Sequence, residues 1–261
     1  MSQFERYEVV WLPVRELSPH PKVQRPLDET RAAAIAAAFD PDLFRELYVV
    51  KAPGAPGGKR YWVFDGGTRL AAAIEALGDD QKVPCRIWDS IPIEEQAKLF
   101  LGINDSKAVK AIHKWFVRLL AREEVPLKIE EALHRHKLRV SKTRGDGVVQ
   151  AITTLESIWK RDGGAETLQR VLSILGAAWG RMPEAYDGLL LRGLAGAVHR
   201  FDGALDDKEL ASKMARKGMP GGMVGRARQS AQINAKSPSR AMLEVIINIY
   251  NEKRRTNRLE V

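Results

Sequence analysis

Apolar positions follow two regimes along the chain. Over the first ninety residues, short β-rich runs alternate with helical stretches. Residues 8–14 (EVVWLPV), 47–52 (LYVVKA) and 60–64 (RYWVF) read as strands because β-branched and aromatic side chains crowd them. The turn formers PGAPGGK between the second and third runs predict a hairpin connection. Residues 29–39 are Ala-rich and helical by propensity, 68–77 predict a helix stopped by Gly78, and 83–88 a further short strand. From Pro92 onward apolar residues recur at helical spacing, predicting helices over 93–103, 108–123, 147–160, 165–179, 186–201 and 240–255. Residues 213–239 are rich in Gly, Met and basic side chains and predict a flexible segment that includes a mobile loop. The expected class is α+β: a small mixed-sheet domain over 1–90, then a mostly α-helical domain over 91–261. No fixed period repeats, so a solenoid is not expected.

Charge sharpens this division. The chain of 261 residues carries 42 Lys+Arg and 33 Asp+Glu, a net +9. The first ninety residues hold 12 basic and 13 acidic side chains, so the whole excess lies beyond them. Such asymmetry points to a polyanion, with nucleic acid the commonest; the alternative is solubility charge on helix faces. The single cysteine, Cys85, excludes an intramolecular disulfide. The first ten residues carry no apolar signal segment, and no run approaches the ~18 apolar residues of a membrane span. A soluble cytoplasmic protein without a membrane partner is expected.

The densest candidate chemistry lies in YWVFDGGTRLAAAIEALG, residues 61–78. A strand ends at Asp65, Gly66 and Gly67 permit positive φ or a close backbone approach, and a helix begins. The unpaired N–H groups and positive dipole end of that helix form an anion site. Thr68 is placed to cap the helix or bind a phosphate oxygen, and Arg69 adds a fork-shaped cation. Asp65 would oppose phosphate there unless it binds a metal, accepts a proton or braces Arg69. The plain alternative is a strand–Gly-Gly–helix turn.

The order of these elements resembles the ParB/sulfiredoxin superfamily over roughly residues 8–90. Its landmarks are Val23-Gln24-Arg25-Pro26 in the loop after the first strand, then a helix, two strands, and Asp65-Gly66-Gly67-Thr68-Arg69 opening the next helix. Leu77-Gly78 and Val83-Pro84 follow in order. The whole chain is similar to phage-encoded ParB-like nuclease-domain proteins of actinobacterial viruses. The matching pieces are Phe39-Asp40-Pro41, Glu95-Gln96-Ala97, Leu99-Phe100, Asn104 and Tyr250-Asn251. The resemblance implies a nucleotide or phosphate held by Gly66, Gly67, Thr68, Arg69, Gln24 and Arg25. It further implies a nucleoside triphosphate with a divalent cation, and Asp65 and Arg69 in any catalysis. Asp65 is the candidate metal ligand. The implied setting is the cytoplasm of a bacterial host, with an oligomer left open. Gly67 stands where sulfiredoxin needs Cys, which excludes that activity, and Thr68 stands where kinase-like and nuclease-like relatives carry His.

In the helical part, Lys107, Lys110, Lys114, Arg118 and Arg122 recur at helical spacing. They predict a cationic ridge opposite an apolar face of Val109, Ile112, Phe116 and Leu119. Arg135, Arg139, Lys142 and Arg144 continue the charge toward a DNA partner through its phosphates; a solvated helix face is the alternative. The cations of 213–228 and of the tail KRRTNR (253–258) are further phosphate candidates, with a connector and a helix C-terminus as the plain alternatives. Three functions are consistent with the sequence. The first is a DNA-modifying enzyme, either phosphotransferase or nuclease. The second is a non-catalytic DNA-binding protein switched by a nucleotide, and the third an inhibitor or assembly protein.

Overall fold

A computed structural model describes residues 6–52, 58–104 and 110–261. The chain divides into two units, Met1–Arg122 and Glu123–Val261. Among the described residues no helix is long and apolar enough to cross a membrane.

The first unit is built on five strands: β1 (Glu8–Pro13), β2 (Leu17–Pro19), β3 (Leu47–Lys51), β4 (Tyr61–Asp65) and β5 (Lys82–Trp88). Their order across the sheet is β1-β5-β3-β4-β2. The β1–β5 and β3–β4 pairs are antiparallel, whereas β3–β5 and β2–β4 are parallel. The expected mixed sheet and the β3–β4 hairpin pairing are thus present; the middle of their connection, 53–57, lies outside the described residues. The strand β2, which the sequence reading did not assign, is only three residues long.

Strand alternation sends neighbouring side chains to two cores. Val49, Val63, Val83 and Cys85 face Leu70 and Ala73 of helix α2 (Gly67–Leu77). Val50, Phe64 and Trp88 face Ala97 and Phe100 of α3 (Ile93–Ile103) and Val117 and Ala121, from α4 (Ala111–Leu120) and its C-cap. The sheet is therefore covered on both faces, and its second layer comes from residues beyond 90. This is why the division falls after Arg122 rather than after residue 90. A further helix, α1 (Glu29–Ala37), packs on α2 and is capped by Asp28, whose side chain accepts from the Arg31 amide at 3.1 Å.

The second unit is helical: α5 (Glu124–Arg135), α6 (Ile152–Trp159), α7 (Gly164–Trp179), α8 (Gly188–Arg200), α9 (Asp207–Arg216), α10 (Pro220–Ile233) and α11 (Pro238–Asn251). Two short parallel strands, β6 (Arg139–Val140) and β7 (Val148–Val149), stand between α5 and α6. The helix expected from 147 thus starts only at Ile152, and the one expected from 186 starts after a 3-10 turn over Pro183–Tyr186. The flexible segment expected near 213–239 is instead the end of α9, all of α10 and the start of α11. Its turn-forming composition hides a helical stripe: Pro220, Met223, Val224, Ala227 and Ala231 are buried, while Gly221, Gly222 and Gly225 lie on the open side.

Gly193 of α8 packs against Met242 of α11: an added Cβ would sit 2.2 Å from Met242 Cγ and 2.8 Å from its Cβ. Gly193→Ala gains about 1 kcal/mol of helix propensity, against about 1–3 kcal/mol of overpacking. The expected net result is a loss of about 1 kcal/mol in unfolding free energy, measured by urea denaturation. An unchanged or raised midpoint contradicts this packing.

Candidate functional site: a cleft at the start of α2

The corner that ends β4 begins with a bulge. Between Tyr48 and Val49 the β3–β4 register shifts, so that Asp65, and not Phe64, stands opposite Tyr48. Gly66 then takes φ 101°, a left-handed geometry that favours glycine. It is the N-cap of α2 and supplies no side-chain cap. A Cβ at Gly66 would lie 2.7 Å from a Leu47 methyl and 3.0 Å from Arg69 Nη2. Thr68 is inside the first turn, so it does not cap the helix as one alternative had it. The first N–H groups of α2 have no acceptor within the helix.

Asp65 is buried, at 5% exposure, and both its oxygens are engaged. Oδ2 accepts from Arg69 Nη2 at 3.1 Å, and Oδ1 accepts from Asn104 Nδ2 at 2.9 Å. Arg69 Nη1 donates to the carbonyls of Arg45 (2.7 Å) and Glu46 (2.9 Å). Burial pulls the Arg69 pKa below its ordinary value, and the Asp65 carboxylate opposes that fall. Of the three roles open to Asp65, bracing Arg69 is the contact the fold makes. Among the described residues no three His, Cys, Asp or Glu side chains cluster as metal ligands.

Gln24 and Arg25, distant in sequence, arrive at the same corner. A Cβ at Gly67 would sit 2.8 Å from Gln24 Oε1, so the Gln24 side chain lies against the first turn of α2. Gln24 Nε2 is buried and has no hydrogen-bond acceptor among the described residues. Together with Gly66, Gly67, Thr68 and Arg69, these two residues line one cleft of about 1230 Å³. Arg31, Arg45 and the exposed Trp11 also line it; the sequence reading did not single them out, and no spacing signal marks them. The Gln24–Arg25 loop is positioned by His20. Its Nδ1 accepts from the amides of Lys22 and Val23, both at 3.1 Å, and its carbonyl accepts from Gln24 N at 3.1 Å.

The cationic ridge is placed differently from expectation. On α4 the buried residues are His113, Trp115 and Val117, followed by Ala121, whereas Ile112, Phe116 and Leu119 are only half-buried. Lys114 and Arg118 flank that buried stripe and are themselves half-buried, because the sheet takes the side of α4 that carries Val117 and Ala121. Lys110 is exposed, and Lys107 and Val109 lie outside the described residues. Arg122 pairs with Glu94 at 3.0 Å. In the second unit, Arg135 pairs with Glu131 at 2.5 Å and Arg144 with Glu184 at 2.7 Å. Arg139 donates to the Asp146 carbonyl at 3.4 Å, and Lys142 is exposed.

His20 gives this region a measurable pH response. Burial, then the nearby Lys22 charge, lowers its pKa from 6.5 to about 4. The folded state resists protonation while the unfolded chain accepts a proton, so this stability is full above pH 6.5. It is lost as pH falls from 6.5 toward 4. Between pH 7 and pH 5 the loss from His20 is about 2 kcal/mol. His20→Asn, which keeps an acceptor for the two amides, is expected to flatten that part of the stability–pH curve. Equal slopes for variant and wild type, by denaturant titration, contradict the assignment.

No family model matches the chain, and no curated protein matches it in sequence. Among solved structures it is similar to a C-terminally truncated chromosome-partitioning protein ParB from Caulobacter crescentus, complexed with CTP-gamma-S. The two share 14% identity at a TM-score of 0.32, over 78% of this chain and 92% of that one.

Proposed function

We propose that the first unit binds the phosphates of a nucleoside triphosphate at the start of α2, and that the protein is a non-catalytic, nucleotide-controlled DNA-binding protein of the ParB/sulfiredoxin type. One observation carries this: Gln24-Arg25 and Gly66–Arg69, distant in sequence, line one cleft over the N-terminus of α2, which has no side-chain cap. Backbone N–H groups, the helix dipole and Arg25, Arg31 and Arg45 supply positive potential there. The unsatisfied Gln24 Nε2 is a donor in want of an acceptor, and a phosphate oxygen answers it. Trp11, at 63% exposure on the same cleft, offers a nucleobase an aromatic face. A divalent cation would enter with the triphosphate.

The enzyme alternative needs Asp65 as a base or metal ligand. A carboxylate at 5% exposure, with one oxygen held by Arg69 and the other by Asn104, favours a brace over either role. DNA as the second ligand is supported by charge: residues 123–261 hold 24 Lys+Arg against 17 Asp+Glu.

Two outcomes are expected. In calorimetric titration of the purified protein with CTP, ATP and GTP, with and without Mg²⁺, one nucleotide binds and is not consumed. Arg25→Ala weakens that binding about tenfold, the cost of about one charge-assisted hydrogen bond. No binding by any of the three, or turnover that disappears in Asp65→Asn, rejects the proposal. Separately, Asp65→Ala strands the buried Arg69 guanidinium, and unfolding free energy is expected to fall by about 3–5 kcal/mol. A loss below about 1 kcal/mol in a denaturant titration would contradict the bracing role.

A further inference from the structure

Past the end of α11 the chain turns back and is clipped. Asn251 is buried; its Nδ2 donates to the Leu259 carbonyl at 2.7 Å, and its Oδ1 accepts from the Leu259 amide at 2.9 Å. The two bonds close the intervening segment into a loop. Lys253 and Asn257 take left-handed φ values of 61° and 52°, which reverse the chain within it. Arg254 lies over the Tyr250 ring, 4.1 Å from its centroid, pairs with Glu209 and donates to the Asn257 carbonyl at 3.2 Å. Tyr250 is itself fixed: its hydroxyl accepts from the Asp206 amide at 3.0 Å and donates to the Ala204 carbonyl at 3.1 Å. The loop is therefore held in one shape by backbone and buried side-chain bonds, not by its outward-facing charges.

Those charges gather on one side. Arg255 and Arg258 of the loop and Arg226 of α10 are exposed and line an open cavity of about 800 Å³ with Lys217. Elsewhere in this unit some arginines are matched by carboxylates, as Arg170 is by Asp207 at 2.8 Å, Arg144 by Glu184 at 2.7 Å and Arg181 by Asp146, while others, such as Arg161 and Arg228, stand apart without one among the described residues. Arg226, Arg255 and Arg258 pair with no carboxylate among the described residues. Glu252 is the acid lining the cavity, and Lys217 engages it at 2.7 Å. Gathering unmatched guanidinium groups costs repulsion, which an anionic ligand would relieve.

We propose that the clipped C-terminal loop and α10 form a grip for the phosphate backbone of duplex DNA, independent of base sequence. This rests on the DNA part of the function proposed above and names the place where the duplex is held. Guanidinium forks match phosphate oxygens, and a loop ordered in advance loses little freedom on binding. An acidic protein partner is less well matched. The apolar side chains on the cavity, Val245 and Ile249, are half-buried and buried, so no exposed aromatic or aliphatic anchor stands at its centre.

The test is binding of a fluorescent 24-base-pair duplex to the purified protein across a salt series. The triple variant Arg226→Ala, Arg255→Ala, Arg258→Ala is compared with Lys128→Ala, Lys160→Ala, Arg161→Ala, which removes the same charge from exposed sites elsewhere in the unit. The grip variant is expected to bind at least about tenfold more weakly at 0.1 M salt. Its log K against log salt slope should be shallower by about 2–3, as for three lost phosphate contacts. The control is expected to lose less than about threefold. Equal loss in both variants, or none in the grip variant, overturns the proposal. Poly-glutamate of equal charge displacing the duplex as well as unlabelled DNA does also overturns it. Wild type that binds no DNA removes the DNA reading itself, whereas wild type that binds while the grip variant is unaffected removes only the grip. Nucleotide titration of the same variants is expected to match wild type, so a failure in the α2 cleft reads out separately.

Discussion

A guanidinium cannot shed its charge when it is buried, so a fold that buries one must surround it with acceptors. Arg69 imposes that demand on the first unit. Its partners are the Asp65 carboxylate at the end of β4 and the carbonyls of Arg45 and Glu46 on the approach to β3. Asp65 in turn holds Asn104, just past the end of α3. One side chain thus ties a strand end, the entry to its neighbouring strand and a helix from the opposite layer. The start of α2 is fixed by the same tie, since Arg69 belongs to its first turn. A cleft whose ligand groups are mostly backbone amides needs that rigidity, because amides are aimed only as well as the helix that carries them.

Much of this corner was legible in the residues. The turn into α2 followed from two glycines between a β-rich run and an Ala-rich helix, and Gly66 does adopt the positive φ that this pattern allows. The hairpin, β1, β5 and the helices α1, α2 and α3 lie within a few residues of their expected places. What periodicity did not carry was which face of a helix would be covered. On α4 the regular spacing of the cations predicts a solvent side. The sheet instead claimed Val117 and Ala121, next to Lys114 and Arg118, and no local pattern reveals which flank a distant strand will use. The extent of the first unit was hidden for the same reason: 93–103 and 111–121 look like the helical part that follows but supply the second layer of the sheet. Similarly, α10 was masked by glycines that sit on its open side.

The two proposed ligand sites divide their charge in the same way. In the α2 cleft Arg69 is spent internally, and positive potential comes from a helix end plus arginines lining the wall. In the C-terminal loop the cation nearest the core, Arg254, is likewise spent on Glu209 and Tyr250, while those beyond it are left unmatched. In both places a buried or stacked arginine holds the frame and its neighbours carry the exposed charge. An arginine's importance to binding therefore does not follow from its position in a basic run. It follows from whether its donors are already taken.

The strand order β1-β5-β3-β4-β2 has a temporal side. Among the described residues the first strand pairs only with β5, across Glu8–Pro13 and Lys82–Trp88. During synthesis at about 5–20 residues per second, β1 therefore waits roughly 4–15 s for its partner to be made. Its Val9 and Trp11 stay exposed even in the finished sheet, at 53% and 63%. In a nascent chain of this protein β1 consequently stays unpaired even after β2, β3 and β4 have all been made. The sheet gains this outermost strand only once residue 88 has been made.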